Sequence, residues 1–245
     1  MFFKDFKTAI SDYSQGMKLM SELKLWRFTL IPALIAIVLA ILIIALAYFL
    51  APSIGAYISD FWPFSFWEDA IDAISNFLGG VLIVIGGFML FKHAVMAFSS
   101  PFMSPISEKI EAHLTQKETT FELNMATTLA RSIRINLRNL GMELLLTLPL
   151  LILSLIPLLN LITAVLLFLL GAYYAGFGNL DYTLERHMKY KASKKFVQSN
   201  KGIACGNGTI FMLALLIPVI GIALILPLST AASTISAVNK MTVKN

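Results

Sequence analysis

A single cysteine, Cys205, leaves this chain without a partner for an internal disulfide, so its fold rests on packing alone. Charge is nearly as scarce. Asp, Glu, Lys and Arg make up 13% of residues against 58% hydrophobic, and the mean hydropathy is +0.79. A soluble domain of this length could not hide so much apolar surface. The glycines at Gly202, Gly206 and Gly208 lack the Gly-Lys-Ser/Thr ending of a phosphate loop, which argues against a nucleotide site. His93, His113 and His187 lie far apart with no metal-ligand spacing, and Cys205 has no activating neighbour. No metal, cofactor, catalytic residue or nucleic-acid partner is expected, and an enzyme is a distant reading.

Two further absences define the membrane topology. No charge falls between Phe28 and Leu50, a run of about 23 residues where a crossing needs roughly 20. A signal peptide would have an apolar core of only about 7 to 15 residues, so this is read as a first span. No Lys or Arg falls between Arg27 and Lys92, and all nineteen lie in Lys4–Arg27, Lys92–Arg138, Arg186–Lys201 and Lys240–Lys244. The gap holds Asp60, Glu68, Asp69 and Asp72 with Trp62, Phe64, Phe66 and Trp67 as an aromatic belt. By the positive-inside rule that loop faces outward and both termini face the cytoplasm, with a bacterial inner membrane as the natural location. A second span follows from about Asn76 to Phe98. Lys92 is expected to snorkel to the headgroups, His93 to be a satisfied helix-end residue, and Gly79-Gly80 and Gly86-Gly87 to permit close helix packing.

Proline then appears where a helix should be unbroken. Ser154-Leu155-Ile156-Pro157-Leu158-Leu159-Asn160 and Leu215-Leu216-Ile217-Pro218-Val219-Ile220-Gly221 repeat one broken apolar hairpin about sixty residues apart. Proline removes a backbone donor, and paired interrupted segments of this kind point to a transport pathway. The limbs are short: Leu144 to Ile156 would measure about 20 Å and Ile210 to Ile217 about 12 Å, against a core of roughly 30 Å. The hairpins are therefore read as re-entrant or partly penetrating, with Pro157 and Pro218 near mid-depth and Asn160 in polar company or capping the second limb; full crossings are the alternative. The expected fold is an all-α integral membrane protein with two long transmembrane helices, two such hairpins and amphipathic cytoplasmic helices. It forms one membrane domain, 1–245, divided into 1–24 amphipathic segment, 25–51 span 1, 52–75 extracytoplasmic loop, 76–98 span 2, 99–140 cytoplasmic helices, 141–178 hairpin 1, 179–208 basic segment and 209–239 hairpin 2.

Two amphipathic stretches flank these elements. In Met125 to Leu140, Leu129, Ile133, Leu137 and Leu140 recur at helical spacing while Arg131, Arg134 and Arg138 share another face. That basic face suits either a funnel that attracts anions or an interfacial helix on acidic lipid. Phe3, Phe6, Ile10, Tyr13, Met17 and Met20 give the N-terminus the look of an interfacial helix, making membrane lipids a further partner. Glu108 and Glu111 share a helix face and are expected to pair with Arg131 or Arg134, as structural or gating ion pairs. Asp181 and Glu143 are expected to pair with basic neighbours.

These residues also resemble a known family. Ser100-Pro101-Phe102-Met103-Ser104-Pro105-Ile106-Ser107-Glu108-Lys109-Ile110-Glu111 is similar to the Pro-Phe…Glu-x-x-Glu motif of the CysZ sulfate-permease family. Gln15-Gly16-Met17-Lys18-Leu19, Asp181-Tyr182 with Glu185 and His187, and both Ile-Pro tips fall in that family's order. The resemblance covers essentially the whole chain. It implies import of sulfate, or a related oxyanion, across the inner membrane for cysteine synthesis, by a homo-oligomeric channel or secondary transporter. It also implies an anion site in the loop before span 1, where a Gly precedes an apolar residue and a basic pair. Here that loop reads Lys24-Leu25-Trp26-Arg27: Arg27 keeps the second basic position, Trp26 stands at the first, and Lys24 stands where Gly would be. A helix starting near Leu25 would add free N–H groups and a positive dipole end, Arg27 a fork of donors and Lys24 a movable charge, while Glu22 would repel the anion. The same cations would also serve simply to anchor the helix at the headgroups. A non-transporting membrane scaffold of the same fold is the alternative function.

Overall fold

The structure, a computed structural model, describes residues 2–59, 68–117, 124–217 and 220–242. Among them every regular element is helical: α1 (Phe2–Glu22), a 3-10 turn (Leu25–Phe28), α2 (Leu30–Ser59), α3 (Glu68–Thr115), α4 (Met125–Ser154), α5 (Asn160–His187), α6 (Tyr190–Ser199), α7 (Lys201–Leu215) and α8 (Ile220–Thr242). Four segments are long and apolar enough to cross a bilayer, namely Leu25–Leu50, Ile83–Thr115, Met125–Ser154 and Asn160–His187. The chain is a multi-pass membrane protein.

Helices run through boundaries that the sequence suggested. Residues 99–115 continue α3, although Pro101 and Pro105 interrupt its bonding. Pro101 cannot bond the carbonyl of Ala97, and Ser100 Oγ donates to that oxygen at 2.8 Å instead. The basic stretch from Met125 and the first limb of hairpin 1 are one helix of 30 residues, ~45 Å long, not a cytoplasmic helix joined to a 13-residue limb. Of the outward loop, residues 60–67 with the belt aromatics lie outside the described residues, as do Pro218 and Val219 at the second tip.

The chain divides into two compact units, Ile37–Lys92 and the remainder. In the smaller unit, Gly87 would bring an added Cβ to 3.4 Å from Ile43, whereas Gly80 and Gly86 face open space. Only one of these three glycines therefore packs a helix. The larger unit is built on α5 and α7. They run antiparallel with Ala172 opposite Gly208 and Gly176 opposite Ala204, so close that a Cβ on Gly176 would lie 1.9 Å from the Ala204 carbonyl oxygen and one on Gly208 1.7 Å from that of Ala172. Small residues four apart on both partners are the membrane solution to backbone-to-backbone packing. Asn179 Nδ2 donates to Asn207 Oδ1 across this crossing at 2.9 Å.

Helix α1 packs on α7 and α8. Its buried face is Asp5, Ala9, Asp12, Tyr13, Gly16, Leu19 and Met20, while Phe3 and Met17 are exposed, which corrects the interfacial stripe read from the sequence. The aspartates decide the face. Asp5 accepts from Lys240 Nζ at 2.7 Å, Asp12 accepts from Ser236 Oγ, and Tyr13 Oη donates to the Asn207 carbonyl at 2.7 Å.

Solvent preference is inverted along α4. α4 buries Thr128, Ser132, Ile135, Asn136, Asn139, Glu143 and Thr147 while Leu137, Leu145, Leu148 and Ile152 face outward. Only a lipid environment makes that arrangement favourable, because exposed leucines are costly in water and buried polar groups need partners everywhere. The first hairpin tip obeys the same rule. Leu158 is 90% exposed and Asn160 is exposed too, so the tip is at the protein surface rather than in its interior; Leu159, not Asn160, holds the N-cap position of α5. Three of its N–H groups are satisfied locally, Leu155 donating to Ile152 O, Ile156 to Leu153 O and Leu159 to Ile156 O.

Two outcomes follow. Gly176→Ala and Gly208→Ala should each destabilise the detergent-solubilised protein by about 1–3 kcal/mol through overpacking, while Gly141→Ala, which meets nothing within 4 Å, should be neutral or stabilising; thermal midpoints of the three variants check this. Burial pushes the Asp12 carboxyl above its ordinary 3.8, with the Ser236 hydroxyl opposing, so ionised Asp12 costs stability at neutral pH. Asp12→Asn should raise the midpoint at pH 7, and the gain should shrink as pH falls toward 3.8.

Candidate functional site

Between α1 and α2 the chain makes a tight corner. Lys24 takes a left-handed conformation, φ 54° and ψ 39°, and Leu25–Phe28 form one 3-10 turn before the α-helix proper begins at Leu30. Thr29 closes the turn, its N–H and Oγ1 both donating to the Trp26 carbonyl at 3.1 and 2.7 Å. The helix thus starts five residues later than expected, and so short a turn offers little dipole to an anion. Side chains must carry any binding here. Leu25 is fully buried and pins the corner, whereas Lys24 and Arg27 are exposed. Trp26 Nε1 donates to Ser21 Oγ at 3.0 Å, and Glu22 pairs with Lys18 at 3.7 Å, which offsets the repulsion expected from that acid.

The interior of the larger unit holds a chain of polar side chains contributed by α3, α5, α7 and α8. At one end Glu111 is gripped by Arg186, whose Nε and Nη2 donate to Oε2 at 3.1 and 2.7 Å, and by His187 Nε2 on Oε1. Arg186 Nη2 also donates to Ser107 Oγ at 2.6 Å. Ser107 shares hydrogen bonds with Thr183 at 2.8 Å and Thr234 at 3.1 Å, and those two threonines bond each other at 3.0 Å. The residue beside Thr234 on α8, Ser233, donates its Oγ to the Asn179 main-chain carbonyl at 3.0 Å, and the Asn179 side chain leads to Asn207, which donates to the Ser229 carbonyl at 3.0 Å. The Glu111 end opens into a cavity of about 600 Å³ lined also by Lys117, Thr115, Asn239 and Thr242. A carboxylate held by a guanidinium and an imidazole is an arrangement that makes a buried charge tolerable.

Glu111 therefore pairs with Arg186 and His187, not with Arg131 or Arg134 as the sequence suggested. Glu108 is only partly buried, with no ion pair among the described residues. Arg131 is taken by Asp181 through two bonds of 2.9 Å, and by the Met188 carbonyl at 2.6 Å. Arg134 lies 4.6 Å from the Tyr190 ring centroid and Arg138 5.6 Å from that of Phe177, with Arg138 donating to Asn139 at 3.1 Å. All three arginines are spent on fixing α4 to α5 and α6, which weakens the funnel reading. Glu143 meets His93 Nε2 at 2.9 Å, and Asn136 lies 3.3 Å from the other ring nitrogen. His93 sits in the middle of α3, not at a helix end, and Lys92 is fully buried instead of snorkelling.

Sequence reasoning missed Arg186, Ser107, Thr183, Thr234, Asn179 and Asn207. A signal existed for the two asparagines, each an amide within an otherwise apolar stretch. The hydroxyls gave none, since Ser and Thr in a membrane helix commonly bond their own turn, as Thr230 and Thr234 also do here.

Comparison with known proteins places this arrangement. The chain is 29% identical over 226 residues to the sulfate transporter CysZ of Pseudomonas syringae pv. tomato, covering 90% of this chain and 88% of that protein. It is 28% identical over 236 residues to the sulfate transporter CysZ of Pseudomonas fluorescens, covering 94% and 93%. The family described as sulfate transporter CysZ/etoposide-induced protein 2.4 matches residues 13–225, and the chain belongs to that family.

Proposed function

We propose that this protein is a sulfate permease that imports the dianion across a bacterial inner membrane for cysteine biosynthesis, acting as a homo-oligomeric channel or secondary transporter with both termini in the cytoplasm. The observation that carries this reading is the buried polar column from Glu111 to Ser229 inside a bundle whose outer surface is apolar. Hydroxyls and amides lining a lipid-shielded interior can replace the water that a doubly charged oxyanion must shed, and ionisable groups at membrane depth most often serve solute or ion movement. Sulfate binding falls to Arg27 and Lys24, exposed at the cytoplasmic corner before α2, with Leu25 and Trp26 shaping that corner. Arg186, through its hold on Glu111, stands as a gate at the cytoplasmic end of the column.

The re-entrant reading of hairpin 1 also has support. If the arginine-bearing part of α4 through Leu140 stays at the headgroups, Gly141 to Ser154 adds only ~21 Å, short of a core of roughly 30 Å. The exposed Leu155, Ile156, Leu158 and Leu161 around its tip suit hydrocarbon rather than water.

Purified protein in proteoliposomes should take up labelled sulfate, and Arg27→Ala should weaken sulfate binding on the order of ten- to a hundredfold by loss of a charge-assisted contact. Folded protein that neither binds nor moves sulfate would support the scaffold reading instead, in keeping with Trp26 at a position where the family has a cation. For topology, single cysteines at positions 117 and 194, in a Cys205→Ala background, should resist a membrane-impermeant thiol reagent in whole cells, and one at position 64 should react. Labelling at 117 or 194 would contradict the single orientation that the basic segments dictate.

A further inference from the structure

Phe28 carries two cations on its ring. Arg27 Cζ lies 5.0 Å from the ring centroid, and Lys109 Nζ, reaching from α3, lies 5.6 Å from it. Both distances are within cation–π range, so one aromatic ring holds together two charges that repel each other. Nothing acidic neutralises them: among the described residues no carboxylate lies within 4.0 Å of Arg27, Lys24 or Lys109, whereas Arg131, Arg186 and Lys240 each have one. Glu22 is occupied by Lys18, and Glu108, adjacent to Lys109 on a helix, does not face the same way. All three cations are exposed, and the two on the ring have long side chains free to leave it for an anion between them.

We infer that Lys109 is the second cation of the sulfate-capturing corner and sets its preference for doubly over singly charged oxyanions; this rests on the reading of Arg27 as the sulfate-binding side chain. Trp26 occupies the loop position where a second basic residue would stand, and α3 supplies that charge through space. The division of labour follows from the chemistry of the two groups. Guanidinium offers a planar fork to one edge of a tetrahedral anion, while an ammonium is a point charge that can approach another oxygen without matching its geometry. Electrostatic attraction scales with the product of charges, so a second cation strengthens binding of a dianion about twice as much, on a logarithmic scale, as binding of a monoanion.

The test is calorimetric titration of the purified full-length protein at low ionic strength with sulfate and with nitrate, comparing Lys109→Gln, Lys109→Met, Lys109→Arg and Arg27→Gln, with folding checked by thermal midpoint. Either neutral variant at 109 should weaken sulfate about tenfold and nitrate about threefold, and Lys109→Arg should retain sulfate within about threefold. Wild-type sulfate binding in both neutral variants beside a loss in Arg27→Gln would overturn the role of Lys109 and leave the capture site standing. Equal losses for the two anions would reduce Lys109 to a general surface potential and overturn the selectivity. Unchanged binding in all variants, or no sulfate binding by the wild type, would remove the corner as the site and this inference with it.

Discussion

Where α5 crosses α7 no side chain separates the two backbones, and the rest of the larger unit is arranged around that approach. In lipid there is no hydrophobic reward for bringing helices together, so contact must come from van der Waals packing and interhelical hydrogen bonds. Gly176 and Gly208 provide the first, and Asn179 with Asn207 the second. Once α5 is fixed, Thr183 and Arg186 point from its later turns toward α3 and α8, and Asp181 toward α4. Tyr13 and the carboxylates of α1 then close on α7 and α8 from the other side. A polar interior is thus a product of helix packing, since bonds such as Asn179 to Asn207, Arg186 to Glu111 and Arg131 to Asp181 each join two different helices.

The two proposed stations of the pathway differ in electrostatic character. Arg27 and Lys109 lie at the surface with no acid beside them among the described residues, so they raise the local potential that an anion at that cytoplasmic face would feel. Deeper in the bundle Arg186 and Arg131 already have counter-charges in Glu111 and Asp181. Attraction at the surface and neutrality inside are what a permeating anion requires, because a buried unpaired cation would trap it.

Helical class, the apolar first span and the position of the first hairpin break were legible in the sequence because each depends on hydropathy or on proline, which act locally. The pairing of Glu143 with a basic neighbour and of Asp181 with one was legible for the same kind of reason, since a buried acid demands a base. Which base was not: Glu111 was assigned to α4 and belongs to α5, because spacing along a helix says nothing about which neighbour it meets. The face of α4 was misread for a physical cause. Its arginine face was read as a funnel or a headgroup contact, whereas the side that turns inward is the polar stripe of Ser132, Asn136 and Asn139, with Ile133 and Leu137 outward. Lys109 was invisible until α3 was placed beside the corner, as no local pattern distinguishes one exposed lysine from another.

Glu111 has a consequence of its own. Its two oxygens fill the guanidinium of Arg186 and the ring nitrogen of His187, so the chain carries an internal competitor for the very groups that would welcome an oxyanion. On the permease proposal, a mobile anion arriving there would find no vacancy and could advance only by exchange, with the carboxylate stepping aside as the newcomer steps in. Occupancy and displacement would then be two halves of one event, and the position would behave less like a pore wall than like a turnstile that admits one charge by moving another.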